Sequence, residues 1–219
     1  SLDAMISMAS FRKSLPYFSI PQLGKEGRAF LKVENLYHPL LSDPVANSIE
    51  AKKGVLVTGS NASGKSTFLK NIAVNTILAQ TIYTVTASGY QAPYFKVMTS
   101  MALRDDLERG ESYFIVEIRS LKRILDEAEK EGCLLCIIDE VLRGTNTIER
   151  IGASSRILAD LERDQVLPFA ATHDIELSYI LEDLYENYHF EEEVKEHEVV
   201  FNYLLKRGRV TTRNAIRLL

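Results

Sequence analysis

The sequence predicts an α/β fold, a central and mostly parallel sheet with helices on both faces. Three observations carry that expectation. Apolar runs at 55–58, 134–138 and 167–172 have the length and near-continuous hydrophobicity of strands covered on both sides. Stretches with helical character at 66–80, 112–131 and 148–163 alternate with them. The chain of 219 residues is long enough to close one sizeable core around such a sheet.

Taken in order, residues 29–53 are expected to supply an antiparallel strand set beside the main sheet. The first parallel strand, Gly54-Val55-Leu56-Val57-Thr58, runs into Gly59-Ser60-Asn61-Ala62-Ser63-Gly64-Lys65-Ser66-Thr67. That segment matches G-x-x-x-x-G-K-[ST], and a helix from Phe68 to Gln80 follows it. A strand before and a helix after separate a phosphate-binding loop from an ordinary Gly/Ser turn. The glycines let the backbone wrap closely around an anion, and the helix start adds a favourable partial charge. Lys65 would then reach the β- and γ-phosphates of a nucleoside triphosphate, and Ser66 would offer its hydroxyl to Mg²⁺.

Next comes Asp105 to Phe114, then an amphipathic helix whose stripe is read as Phe114, Ile118, Leu121, Leu125 and Ala128. Ser112 falls at its start. It is either an N-cap or a second phosphate-binding end that serves a nucleotide held by another copy. Spacing alone leaves both open.

The run Leu134-Leu135-Cys136-Ile137-Ile138 ends in Asp139-Glu140, a Walker B arrangement. The buried strand would deliver Asp139 to the Mg²⁺ shell, and Glu140 would polarise a water aimed at the γ-phosphate. Cys133 and Cys136 form a C-x-x-C pattern, but three residues apart on a strand they point to opposite faces. They are read as reduced core residues, which suits a cytoplasmic protein. The third strand, at 167–172, puts His173 at its carboxyl end, on the same edge as Lys65 and Glu140, where it is expected to sense the γ-phosphate as a catalytic residue. Glu191, Glu192, Glu193 and Glu196 read as a solvated acidic turn. The stretch from Glu198 to Tyr203 alternates like an edge strand.

Composition excludes some classes. The formal net charge of −4 gives no global basic field for nucleic acid. The clusters Arg119, Lys122, Arg123 and Lys206, Arg207, Arg209, Arg213 read as solvated surface. No run approaches the ~18 apolar residues of a membrane span, and no signal sequence is expected.

These elements, in this order, resemble the C-terminal ATPase domain of the MutS family of DNA mismatch repair proteins, within the ABC-type ATPase superfamily. His38-Pro39-Leu40-Leu41 resembles the family's His-Pro element, and Gly110-Glu111-Ser112 with Val116-Glu117 its signature segment. Arg143-Gly144-Thr145-Asn146-Thr147 after Asp139-Glu140 resembles its Arg-Gly-Thr-Ser-Thr. Ile77-Leu78-Ala79-Gln80, Ala171-Thr172-His173 and Asn187-Tyr188-His189 complete the series. The likeness covers roughly residues 30 to 215.

The resemblance implies an ABC-type P-loop ATPase domain over residues 29–219 that hydrolyses ATP with Mg²⁺. Residues 1–28, with Leu2-Asp3-Ala4 and Pro21, resemble the end of a preceding lever or connector, so the chain is expected to be the C-terminal piece of a longer protein. The resemblance also implies an ATP-dependent homodimer in which each nucleotide is sandwiched between one P-loop and the partner's signature segment. Ser112 would then act in trans, Arg143 to Thr147 would lie along the same interface, and His38 and His189 would sit near the adenine. DNA would be contacted through domains outside these residues. The sequence departs from the family at Ala62-Ser63, where Met-Gly is usual, and at Tyr113, where Thr is usual. Two other readings stand beside this one. A transporter-type ATPase subunit would need a Leu-Ser-Gly-Gly-Gln signature, which is absent. A nucleotide-gated dimerisation module would bind ATP with little turnover.

Overall fold

The computed structural model describes residues 2–24, 27–101, 113–142, 146–195 and 198–210. The three expected strands form, as β4 (Gly54–Thr58), β7 (Cys133–Asp139) and β8 (Val166–Thr172), and every residue in them is buried. Alternate side chains enter two different cores. Val55, Val57, Leu135, Ile137, Leu167 and Phe169 face one, while Leu56, Leu134, Cys136, Ile138 and Ala170 face the other. A strand covered on both sides has no polar positions to spare, which is why these read as unbroken apolar runs. Cys133 and Cys136 fall in different cores as expected, and both are buried thiols.

The central sheet has six strands in the order β10-β9-β4-β8-β7-β6, where β6 is Phe95–Ser100, β9 is Tyr185–Lys195 and β10 is Glu198–Arg207. All neighbouring pairs are parallel except β9 with β10. On one face lies α2 (Lys65–Ile82), packed through Phe68, Leu69, Ile72 and Ala73. Beyond it stands a second sheet in the order β1-β5-β2-β3, from β1 (Gln22–Gly24), β5 (Gly89–Pro93), β2 (Leu31–Leu36) and β3 (Asn47–Ala51). The antiparallel pair β2 with β3 is the strand set expected at 29–53. Because α2 shares one core with both sheets, it also buries polar groups, and these find partners. Asn75 Oδ1 accepts from Thr86 N at 2.6 Å, and Thr76 Oγ1 lies 2.9 Å from the Tyr90 hydroxyl. Burial pushes the Tyr90 phenol above its ordinary range.

The opposite face is covered by α3 (Tyr113–Ala128), α4 (Thr147–Asp160) and α5 (Ile175–Ile180). α3 docks through Leu121, Ile124 and Ala128, while Ile118 stays exposed. Phe114 and Leu125 pack against the edge of the same core, so the predicted stripe holds at four of its five positions; Ile118 is exposed and Ile124 is added at the centre. Full burial of a leucine or isoleucine is worth roughly 2–3 kcal/mol, so Leu121 and Ile124 anchor the helix. Asn146 caps α4: its Oδ1 accepts from Glu149 N at 3.0 Å. At the N-terminus, α1 (Leu2–Ser14) buries no residue. It is tied to the end of α2 by Arg12, which donates to Tyr83 O at 3.0 Å and Thr84 Oγ1 at 2.8 Å.

One expectation is corrected. Glu191, Glu192 and Glu193 are not a turn but belong to β9, paired antiparallel with β10; Glu196 lies outside the described residues. Acidic side chains suit an outer hairpin, where one face meets water, and local composition alone does not separate that from a turn. No helix among the described residues is long and apolar enough to cross a membrane.

Candidate functional site

Strand register assembles the site. Thr58 pairs with Thr172 and Asp139 with Ala171, so β4, β7 and β8 end level. Since β8 runs between β4 and β7, His173 emerges between the loop that follows Thr58 and the acids that end β7.

The loop at 59–64 delivers the chain into α2 through Gly64, which sits at the helix N-cap with φ 107°. Only glycine adopts that conformation without strain. A Cβ here would also come within 3.1 Å of the Tyr203 ring. Lys65 is buried and its ammonium donates to Gly59 O at 2.8 Å and Ser60 O at 2.7 Å, which lays the charge across the loop. Ser60 Oγ donates to Glu192 Oε2 at 2.7 Å, so the outer hairpin touches the loop. Ala62 has φ 67° and Ser63 is buried.

At the end of β7, Asp139 is 6% exposed and its Oδ1 has no hydrogen-bond partner among the described residues. A buried carboxylate oxygen left in that state is costly unless a cation or its water shell serves it. The chain then turns sharply. Glu140 and Leu142 both adopt left-handed conformations, φ 60° and 58°. Glu140 N donates to Ala171 O at 2.9 Å, and Leu142 N to Glu117 Oε1 at 2.6 Å. The turn brings Glu140 Oε1 to 3.2 Å from His173 Nδ1.

Glu140, the loop and α2 line one cleft of about 520 Å³, which falls in the range of small-molecule sites. Its other wall is the segment from His38 to Asn47 together with Phe190 and Tyr203. His38 accepts from Leu40 N at Nδ1 (3.3 Å), and burial, aided by Lys70, holds its ring below the ordinary histidine range. A neutral His38 therefore carries its proton on Nε2. His189 does not line the cleft. Its Nδ1 lies 2.8 Å from Gly208 O and its Nε2 3.0 Å from Glu191 Oε1.

The structure thus gathers Gly59 to Thr67, Asp139, Glu140 and His173 at one sheet edge, with His38 on the facing wall. Ser112 and Arg143 to Thr145 lie outside the described residues. Sequence reasoning missed Tyr203. This residue interrupts β10 at a bulge with φ 55°, and Asn47 grips it by donating to Tyr203 O (3.0 Å) and accepting from Leu205 N (2.7 Å). Nothing in the alternation of β10 marks a bulge. Arg150 and Asp174, a part-buried ion pair beside His173, were missed too, because the two residues are 24 apart in sequence.

Comparison with known proteins follows the same line. The MutS domain V family matches residues 55–218. The chain is 34% identical over 203 residues to MutS protein homolog 4 of Mus musculus, covering 84% of this chain and 21% of that protein. It is 33% identical over 197 residues to the DNA mismatch repair protein MutS of Thermosipho melanesiensis, covering 84% and 23%. Against the DNA mismatch repair protein MutS of Thermus aquaticus it is 35% identical over 146 residues, covering 64% and 18%. The chain spans about a fifth of the length of these curated relatives. With three-quarters of its residues inside the domain V match, the chain belongs to the MutS family.

Proposed function

We propose that this chain binds ATP with Mg²⁺ in the cleft over the loop at 59–67 and hydrolyses it. It would act as the ABC-type ATPase domain of a MutS-family protein, working as an ATP-dependent homodimer. Hydrolysis would be coupled to DNA mismatch repair or related DNA handling by other parts of the parent protein. The single observation that carries the reading is the convergence of Lys65, Asp139 and the Glu140–His173 pair on one sheet edge.

Each residue has a task in keeping with its surroundings. The loop backbone and the start of α2 bind the phosphate chain, and Lys65 neutralises the β- and γ-phosphates. Ser66 and Asp139 would hold Mg²⁺, for which the buried, unpartnered Asp139 Oδ1 is a suitable hard oxygen donor. The ion would supply charge neutralisation and polarisation of the γ-phosphate. Glu140 accepts the proton of the attacking water, and His173 fixes one of its oxygens so that the carboxylate is oriented for that transfer. Ser112 would complete the site of the other protomer. His38 on the cleft wall and His189 beyond it are the residues assigned to the adenine side. Membership of the MutS family speaks against a transporter subunit.

The test is titration with a fluorescent ATP analogue and Mg²⁺, followed by phosphate release. Wild-type chain is expected to bind, and Lys65→Ala to weaken binding by about tenfold or more, as loss of a charge-assisted contact implies. Wild-type chain that fails to bind at millimolar nucleotide would sink the reading.

A further inference from the structure

Beside the cleft lies an ion pair that phosphate binding does not require. Arg150, in the first turn of α4, grips Asp174 with both prongs of its guanidinium. Nε donates to Oδ2 at 2.8 Å and Nη2 to Oδ1 at 2.6 Å. The side chains are only 13% and 7% exposed. Asp174 occupies the N-cap of α5, where a carboxylate ordinarily accepts from the first N–H groups of its own helix. It makes no such bond. Its carboxylate reaches to α4 instead, while its backbone N–H donates to Thr172 Oγ1 at 3.0 Å.

The neighbour of this pair is His173, whose ring stands between two acids. Nδ1 is 3.2 Å from Glu140 Oε1, and Nε2 is 3.8 Å from Asp174 Oδ1. The first is hydrogen-bond range and the second falls just outside it. A bare carboxylate at the second distance would need only a small ring movement to capture the imidazole and draw it from Glu140. Arg150 engages both Asp174 oxygens with charge-assisted bonds, which makes Asp174 a weak competitor. A guanidinium does this where an ammonium would not, because its planar fork meets both oxygens at once.

We propose that Arg150 is a positioning residue: by occupying Asp174 it keeps His173 on Glu140, and it locks α4 to the turn between β8 and α5. The inference rests on reading Glu140 and His173 as the hydrolytic pair.

Two readouts on the full chain test it. One is ¹⁵N-imidazole NMR of His173 without nucleotide, assigned with His173→Ala; the other is kcat and KM for Mg-ATP. At a temperature where each variant is folded, Arg150→Gln is expected to shift the His173 ring signals. It should also lower kcat about tenfold or more, as small misplacements at reacting centres do, with KM changed less than about twofold. Arg150→Gln with Asp174→Asn removes the competitor as well, and should return the ring signals and most of kcat. Arg150→Lys keeps the buried charge if Arg150→Gln does not fold, and should move the same signals by a smaller amount. A merely structural pair leaves the ring signals of folded variants unchanged. That result, or a double variant no better than Arg150→Gln, overturns the proposal. Ring signals that respond in a chain with no hydrolysis would keep the positioning role and remove the hydrolytic reading. An active chain whose ring signals ignore Arg150 would do the reverse.

Discussion

Glu140 and Leu142 stand in left-handed conformations that cost non-glycine residues about 1–2 kcal/mol each. The surroundings hold them there. Ala171 O takes the Glu140 N–H and the Glu117 carboxylate takes the Leu142 N–H. The gain is a carboxylate turned from the end of a buried strand into the cleft. Glu140→Gln keeps the shape of the side chain but cannot accept a proton. It is expected to retain ATP binding and to lose about 10²–10⁴-fold in phosphate release, the usual contribution of a general base. Hydrolysis at the wild-type rate would show that another group activates the water. A second residue-scale expectation concerns Cys136, whose thiol burial pushes up to about 12. The thiolate is the reactive form, so Cys136 should resist thiol reagents in the native protein and react only after denaturation. Rapid labelling of native protein at Cys136, located by mass spectrometry, would contradict its placement in the core.

The clamp between α4 and the β8–α5 turn is where an element-level prediction belongs. Arg150→Ala leaves the Asp174 carboxylate buried without its partner, and breaking such a pair typically costs about 3–5 kcal/mol. Replacing both partners by neutral residues of similar size removes that penalty. The pH dependence follows from the same contact. Arg150 holds the Asp174 carboxyl below its usual range, with burial opposing. For a carboxyl whose folded value is lowered, the stabilisation is complete above the ordinary Asp value of about 4 and is lost as pH falls through the folded value. Thermal melts of wild type and Arg150→Ala should therefore differ most at neutral pH and converge on acidification. A gap that stays constant from pH 7 to pH 3 would place the destabilisation elsewhere.

On the scale of the whole molecule, the cleft is lined from one side of the central sheet, and the proposed function gives Ser112 to the nucleotide of a second copy. The expected consequence is visible in mass. Glu140→Gln, which should hold ATP without consuming it, is expected to dimerise with Mg-ATP and to be monomeric without it, read by light scattering. A monomer that still binds ATP would place the dimer contacts in other parts of the parent protein. Ser112→Ala should slow turnover while nucleotide affinity of the monomer stays within about twofold, since its hydroxyl would serve the partner's phosphate. A large loss of monomer affinity would contradict a role in trans.

Local chemistry made much of this protein legible. The strands β4, β7 and β8 are unbroken apolar runs because both faces are covered. The loop at 59–67 was legible because its glycines, Lys65 and Ser66 fall at fixed spacing between a buried strand and a helix. Asp139, Glu140 and His173 could be placed on one edge because strand ends in a parallel sheet point the same way. What the sequence left open depends on partners distant along the chain. The strands β5, β6 and β9 and the short helix α5 have no strong period of their own and gain order from their neighbours. The exchange of Ile118 for Ile124 in the α3 stripe was set by the facing sheet, and the acids of β9 became a strand because β10 pairs with them. Tyr203 at its bulge, and Arg150 beside His173, are products of register and packing. A sequence reports the chemistry each residue carries; which of those residues meet is decided by tertiary contacts that no local pattern encodes.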